Sequence, residues 1–345
     1  MKVLYLAHAH VGLVKTGLYG QIQRTADAVR ELGVEVVLLD PWEDQLADVD
    51  VCHFFSVAPE MWFFHHRARN RGVPCIFSPV LNVADQSLLR LVVSGRLGGR
   101  VPGMLSGWKH VRDMLRHAAR ILPLTRHERR IIRLTFGVPD ERMRIVPNGV
   151  DKGFAEGDPE LFRRKHGLGD YVLNVGYIGR VKNQLNLIRA MKGSPMHLVL
   201  VGEPRMGEAE YLEACKREAG DRVLFTGRLP YGSPMLLSAY AGAKVFALPS
   251  FTEVMSIALM EAALAGCRLV ASVNVPIVDY LEPYVHTARA SRPGQIRKAI
   301  DAAAAEPGRS PAREVMLGKP TWSEVGRMIV EEYERSLTGR GGGDQ

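Results

Sequence analysis

Short apolar runs recur along the chain, each followed by a stretch in which apolar residues return every three or four positions. That alternation predicts parallel strands separated by helices, with both faces of each sheet covered. In the first half the runs predict strands at Val3–Ala7, Glu35–Leu39, Val51–Phe55, Cys75–Ser78, Ile121–Leu124 and Arg144–Val146. In the second half they predict strands at Tyr171–Val175, His197–Val201, Val223–Thr226, Lys244–Leu248 and Arg268–Ala271. Asn-Gly and Asp-Pro pairs interrupt the pattern between Pro147 and Asp158, as turn residues do at a domain boundary. The expected fold is α/β, with two Rossmann-like, doubly wound parallel-sheet domains over residues 1–150 and 151–320. The last periodic segment, in 321–338, reads as a helix, and the Gly-rich 339–345 as a disordered tail.

A chain of 345 residues exceeds one ordinary core and suits two. No apolar run approaches the roughly 20 residues that span a bilayer. The apolar stretch in MKVLYLAHAH is shorter than a signal peptide requires and reads as a buried first strand, so a cytoplasmic location is expected. The cysteines Cys52, Cys75, Cys215 and Cys267 show no Cys-x-x-C spacing, which argues against a disulfide framework or a zinc site.

The net charge is +8, and residues 84–135 hold eleven basic against three acidic side chains, an excess equal to the whole. Trp108 is the only aromatic residue there to interleave stacking with charge, so nucleic acid is not the expected partner. Two readings stay open: a solvated basic face, or contact with an anionic membrane surface through QSLLRLVVSGRL (86–97).

The chemistry concentrates in SFTEVMSIALMEAALAG (250–266), directly after the run that ends at Pro249. Met255, Ser256 and Ile257 fall in the expected first turn of a helix, where unpaired N–H groups and the dipole attract an anion. Glu253 and Glu261, eight residues apart, would repel a phosphate there unless they faced hydroxyl groups. A nucleotide sugar offers that arrangement, with ribose and hexose hydroxyls on either side of a diphosphate. On this segment alone, a cap at Glu253 and a solvated Glu261 are the favoured reading.

The segment resembles the Glu-x7-Glu motif of retaining glycosyltransferases of family 4. The resemblance extends to ILPLTRHERRIIRLTFG (121–137), IVPNGVDKGF (145–154), VLNVGYIGRVKNQLNLIRAM (172–191) and VLFTGRLP (223–230). It implies the GT-B fold, two domains facing a central cleft with the C-terminal helix crossing back to the first. It further implies transfer of a sugar from a UDP- or GDP-sugar to a saccharide or lipid-linked acceptor, with retention of configuration and with neither metal nor cofactor. The protein would be cytoplasmic or, if the basic stretch meets anionic lipid, peripheral on the inner face of the membrane. By this resemblance Glu253 meets the donor sugar and Lys182 with Arg180 the diphosphate, these three forming the catalytic set. Glu261 would take the ribose, backbone at Gly227 and Arg228 the base, the N–H groups of Ser256 and Ile257 the distal phosphate. Gly17, with Gly20 in the first loop, would let backbone approach from the first domain.

Three positions depart from that pattern. Tyr177 stands where relatives carry Arg, with Arg180 displaced toward Lys182. Ser256 stands where they often carry Gly. No His follows the fourth strand, and His53 is the nearest acceptor-side alternative, a buried His being its other reading. His8 and His10 alternate along a strand and Asp48-Val-Asp50 is an ordinary acidic turn, so no metal site is expected. A nucleotide-sugar-binding protein without turnover, motivated by Tyr177, and a nucleotide-sugar epimerase remain as rivals.

Overall fold

Strand β3 (Val51–Phe55) is buried at every position, the pattern of a strand covered on both faces. It lies at the centre of a parallel sheet ordered β2-β1-β3-β4-β5, with β1 at Lys2–Ala7, β2 at Glu35–Leu38, β4 at Cys75–Ser78 and β5 at Arg120–Ile121. The computed structural model describes residues 1–8, 11–14, 17–40, 42–81, 106–276 and 280–338. A second parallel sheet is ordered β11-β10-β9-β6-β7-β8. Its strands are β6 (Tyr171–Val175), β7 (His197–Val201), β8 (Val223–Gly227), β9 (Val245–Leu248), β10 (Arg268–Ser272) and β11 (Val285–Ala288). Each sheet belongs to its own unit: Met1–Gly149 together with the segment from Pro320, and Val150–Lys319.

Two edges differ from expectation. Strand β5 stops at Ile121, because Pro123 has no N–H for a ladder. The run Arg144–Val146 continues beside it through Arg144 N–H to Ile121 O (3.1 Å) and Val146 N–H to Pro123 O (3.0 Å), as a bridge and not a sixth strand. Strand β11 was not anticipated; it is a short, half-exposed edge that leaves little apolar signature.

The C-terminal helix Trp322–Thr338 completes the core of the first unit. It lies against the helix Gly17–Arg30 so closely that a Cβ on Gly326 would stand 2.9 Å from that of Ala28. The buried Tyr333 hydroxyl bonds His53 Nδ1 at 2.7 Å and the Tyr5 hydroxyl at 3.1 Å, while His53 Nε2 meets Ser78 Oγ at 2.9 Å. Of the two readings of His53, the buried one holds and the acceptor-side one does not. Its ring is fully enclosed with both nitrogens engaged, and burial pushes its pKa down to about 3, leaving a neutral structural group. One turn position earlier, the buried Glu332 carboxylate accepts from Arg120 (2.5 Å), Arg335 (2.8 Å) and Arg144 (3.1 Å).

The basic stretch is partly drawn into the fold. Arg129 and Arg133 both hold Asp140 at 3.0 Å, and Arg120 holds Glu332. Residues 84–105, with the whole of QSLLRLVVSGRL, lie outside the described residues, as does His10. Asp48 and Asp50 tie down Lys2, through its ammonium and its backbone N–H, each at 2.7 Å. All four cysteines are buried and unpaired. Among the described residues, no helix is long and apolar enough to cross a membrane.

Glu128 caps the helix Arg126–Phe136 from within. Its N–H donates to Thr125 Oγ1 (3.0 Å), and its carboxylate accepts from Leu124 N–H (2.6 Å) and Leu81 N–H (2.8 Å). Burial raises its pKa to about 7, against the two N–H donations that lower it. The folded state thus binds a proton that the unfolded state has released, so this carboxyl's stabilisation is full below about pH 4.5 and falls as pH rises to about 7. Denaturant titrations of wild type and Glu128→Gln should show a stability difference that shrinks over that interval by up to about 3 kcal/mol. A pH-independent difference would contradict the raised pKa.

Candidate functional site

In the second sheet the chain moves from β6 outward through β7 to β8, then returns to the other side of β6 and moves outward through β9, β10 and β11. The order therefore reverses between β6 and β9, and the crevice beyond their carboxyl ends is where an open α/β sheet accommodates a ligand. Two loops meet there, one after β6 carrying Lys182 and one after β9 carrying Glu253.

Buried amide side chains hold these loops in place. Asn183 adopts left-handed backbone (φ 62°), and its Nδ2 donates to Pro249 O at 2.9 Å and Ala290 O at 2.7 Å. Gln184, with no exposed surface, accepts from Gly179 N–H (3.2 Å) and donates to Tyr177 O (3.0 Å). Phe251 N–H donates to Val181 O at 2.8 Å, joining the loops through backbone. Loops so constrained can present charges at fixed positions.

Lys182 Nζ sits 2.5 Å from Glu253 Oε1, with side chains 17% and 12% exposed. Ser250 Oγ donates to the same Glu253 oxygen at 2.8 Å. Beyond the pair begins the helix Ile257–Leu264, N-capped by Ser256, whose hydroxyl accepts from Leu259 N–H at 3.3 Å. The Ile257 and Ala258 amides have no acceptor among the described residues, and so mark an electropositive helix end. Glu261 lies farther along this helix, 7% exposed, and accepts from the Tyr240 hydroxyl at 2.8 Å. Burial, reinforced by that carboxylate, raises the Tyr240 pKa and keeps it a donor.

Arg180 does not join Lys182. Its side chain is 71% exposed, 3.7 Å from Glu208, with Cζ 5.7 Å from the Tyr211 ring centre. Tyr177 instead has Lys182 Nζ 5.3 Å and Arg205 Cζ 5.7 Å from its ring centre. Gly227 ends β8 with φ +70°, its carbonyl accepting from Gly202 N–H at 2.9 Å and the Thr226 hydroxyl at 2.8 Å, and Arg228 beyond it is exposed. Gly17 starts a helix of the first unit and is exposed, with open space at its Cα. His8 Nδ1 lies 3.0 Å from Glu60, and no three potential metal ligands cluster among the described residues.

The sequence reading missed Asn183, Gln184, Ser250, Tyr240 and Arg205. The first two carry a local signal, adjacent amides at the head of an otherwise amphipathic helix. Arg205 carries none, since its contact depends on a neighbouring loop.

Two family models match in succession: "Glycosyl transferase 4-like domain" over residues 7–149 and "Glycosyl transferases group 1" over residues 160–314. The chain belongs to the family 4 type of glycosyltransferases. This family 4 protein is 31% identical over 178 residues to the D-inositol 3-phosphate glycosyltransferase of Acidothermus cellulolyticus, covering 46% of this chain and 39% of the relative. It is 30% identical over 175 residues to the 2-deoxystreptamine glucosyltransferase of Streptomyces kanamyceticus, covering 46% and 43%. The match thus spans less than half the length of either relative. In fold, the family 4 chain is similar to Anabaena Alr3699/HepE, solved in complex with UDP, with a TM-score of 0.71 at 15% identity over 97% of this chain and all of that one. It is also similar to WaaG, a glycosyltransferase involved in lipopolysaccharide biosynthesis, with a TM-score of 0.62 at 15% identity over 99% and 100%. Both sheets and their order are those of the GT-B fold.

One backbone contact in this family 4 protein permits no side chain. Gly202, at φ +148°, lies against the Gly176 carbonyl, and an added Cβ would stand 1.9 Å from that oxygen. Gly202→Ala should cost on the order of 2–4 kcal/mol in thermal or denaturant unfolding. Unchanged stability would show that the two loops separate freely.

Proposed function

We propose that the protein transfers a sugar from a nucleoside diphosphate donor, a UDP- or GDP-sugar, to a hydroxyl of a polyhydroxylated acceptor with retention of configuration. The observation that carries this reading is the Lys182–Glu253 pair before the open N-terminus of Ile257–Leu264, at the point where the strand order reverses. A cation and unpaired amides suit a diphosphate, while a carboxylate between them suits sugar hydroxyls. The names of the two relatives, both for transfer to cyclitols, and the UDP bound in HepE support donor and acceptor classes of this kind.

In the proposed reaction the bond from the sugar's anomeric carbon to the diphosphate breaks, and its electron pair goes to the departing phosphate oxygen. The acceptor oxygen bonds that carbon from the same face, and its proton passes to the departing phosphate. Lys182 and the Ser256 and Ile257 amides stabilise the charge that grows on the leaving group, and Glu253 orients the sugar. Glu261, steadied by Tyr240, accepts from the ribose; backbone at Gly227 and Arg228 borders the base. The proposed reaction is metal-independent and uses no resident cofactor, its positive charge coming from protein side chains and helix amides.

The second reading, a nucleotide-sugar-binding protein without turnover, rests on Tyr177. Incubation with a panel of nucleotide sugars and polyol acceptors separates the two: release of nucleoside diphosphate with a glycosylated product supports transfer, and binding without release supports the rival. An isomerised sugar as sole product would indicate an epimerase. Lys182→Ala should lower kcat about 10²–10³-fold with folding intact. By calorimetry, Glu261→Ala should weaken nucleotide affinity about tenfold, and unchanged affinity would remove Glu261 from the ribose.

A further inference from the structure

With Tyr177 in the loop after β6 and Arg180 turned onto Glu208, Lys182 is the only basic side chain of that loop directed at Glu253 among the described residues. Lys182 is moreover paired, so the site as it stands offers a diphosphate little net positive charge. The neighbouring loop, after β7, supplies another cation. Arg205 places its guanidinium carbon 5.7 Å from the centre of the Tyr177 ring, and Lys182 Nζ lies 5.3 Å from the same centre. Two cations drawn to one aromatic ring from different loops repel each other unless an anion comes between them. Glu253 neutralises Lys182, whereas Arg205 forms no ion pair with any described residue.

The backbone at Arg205 is held on both sides. Ile178 N–H donates to Glu203 O (2.8 Å), Arg205 N–H to Ile178 O (3.0 Å) and Glu208 N–H to Arg205 O (2.8 Å). These bonds extend the β6–β7 pairing past the sheet, with a parallel bridge between Ile178 and Pro204. Behind them the side-chain-free contact of Gly202 with the Gly176 carbonyl fixes how closely the loops approach. The Arg205 side chain is half-buried. A guanidinium so placed can grip two phosphate oxygens at once, which an ammonium cannot.

We propose that Arg205 is the second cation of the diphosphate site, with the Tyr177 ring as the platform that aims it. The inference rests on the reading of this site as one for a nucleoside diphosphate donor. Arg205 changes no bond; it offsets the charge that the diphosphate carries and gains when the sugar leaves. A purely structural role, in which Arg205 only packs on Tyr177, predicts different behaviour.

The test measures binding of UDP, GDP and ADP, and of the matching nucleoside monophosphates, to the full chain by calorimetry, alongside thermal unfolding. For the base that wild type prefers, Arg205→Gln should weaken the diphosphate about ten- to hundredfold and the monophosphate less than about threefold, with unfolding little changed. Tyr177→Arg added to Arg205→Gln should recover most of the lost diphosphate affinity, because it returns a guanidinium to the same space. Arg205→Lys, which keeps stem and charge, should fall between wild type and Arg205→Gln. Wild-type diphosphate affinity in Arg205→Gln would overturn the proposal while leaving the donor reading in place. Equal losses for mono- and diphosphate together with a lowered unfolding temperature would overturn it in favour of packing. Failure of the wild type itself to bind any diphosphate would overturn the donor reading, and this inference with it.

Discussion

The approach of Gly202 to the Gly176 carbonyl sets the geometry on which the rest of the candidate site depends. At this crossing the loops after β6 and β7 come closer than any Cβ would allow, and Gly202 N–H bonds onward to Gly227 at the end of β8. Three successive strand ends are thereby joined by main chain alone. Side chains beyond the crossing, Tyr177 on one loop and Arg205 on the other, inherit a fixed separation. Asn183 does for the β6 and β9 loops what the glycines do for β6 and β7, using an amide group in place of an absent side chain, while Gln184 ties the β6 loop to itself. What positions the loops of the site is their bonding to each other.

The first unit relies on a different device. Its last helix arrives from the far end of the chain, and polar groups place it: Tyr333 on His53 and Tyr5, and Glu332 among three arginines. A buried carboxylate with several guanidiniums is costly to disrupt, since loss of any partner leaves charge without compensation in a low-dielectric interior. Part of the positive charge concentrated in the basic stretch is therefore structural. Arg120, Arg129 and Arg133 answer carboxylates within the fold and are not simply displayed to a partner.

How far the sequence revealed all this follows from the range of each interaction. Buried parallel strands are continuous apolar runs, so most were legible to within a residue at each end. Strand β11 was not, because an edge need not be apolar, and Pro123 curtailed β5 in a run that otherwise reads as strand. Glu253, Lys182 and Ser256 were legible because local spacing places them at a strand end or a helix start. For His53 the buried reading holds, but its partner Tyr333, 280 residues away, is announced by nothing in VCHFF. Arg180 and Arg205 illustrate the same limit. Proximity along the chain favoured Arg180, yet Glu208 draws it outward, while Arg205 reaches Tyr177 only through the pairing of two loops.

The ion pair between Lys182 and Glu253 has a consequence for selectivity. Each group is the other's partner, so under the proposed function ligand entry is an exchange and not a simple addition. On that reading a phosphate that takes over Lys182 would release the Glu253 carboxylate to accept from a sugar. A free sugar brings no anion to make that trade and meets a carboxylate already satisfied. Under the proposed function the pair would act as a two-part lock that opens to the diphosphate and hexose together, and so would discriminate the intact donor from its hydrolysed sugar without any contact specific to the difference.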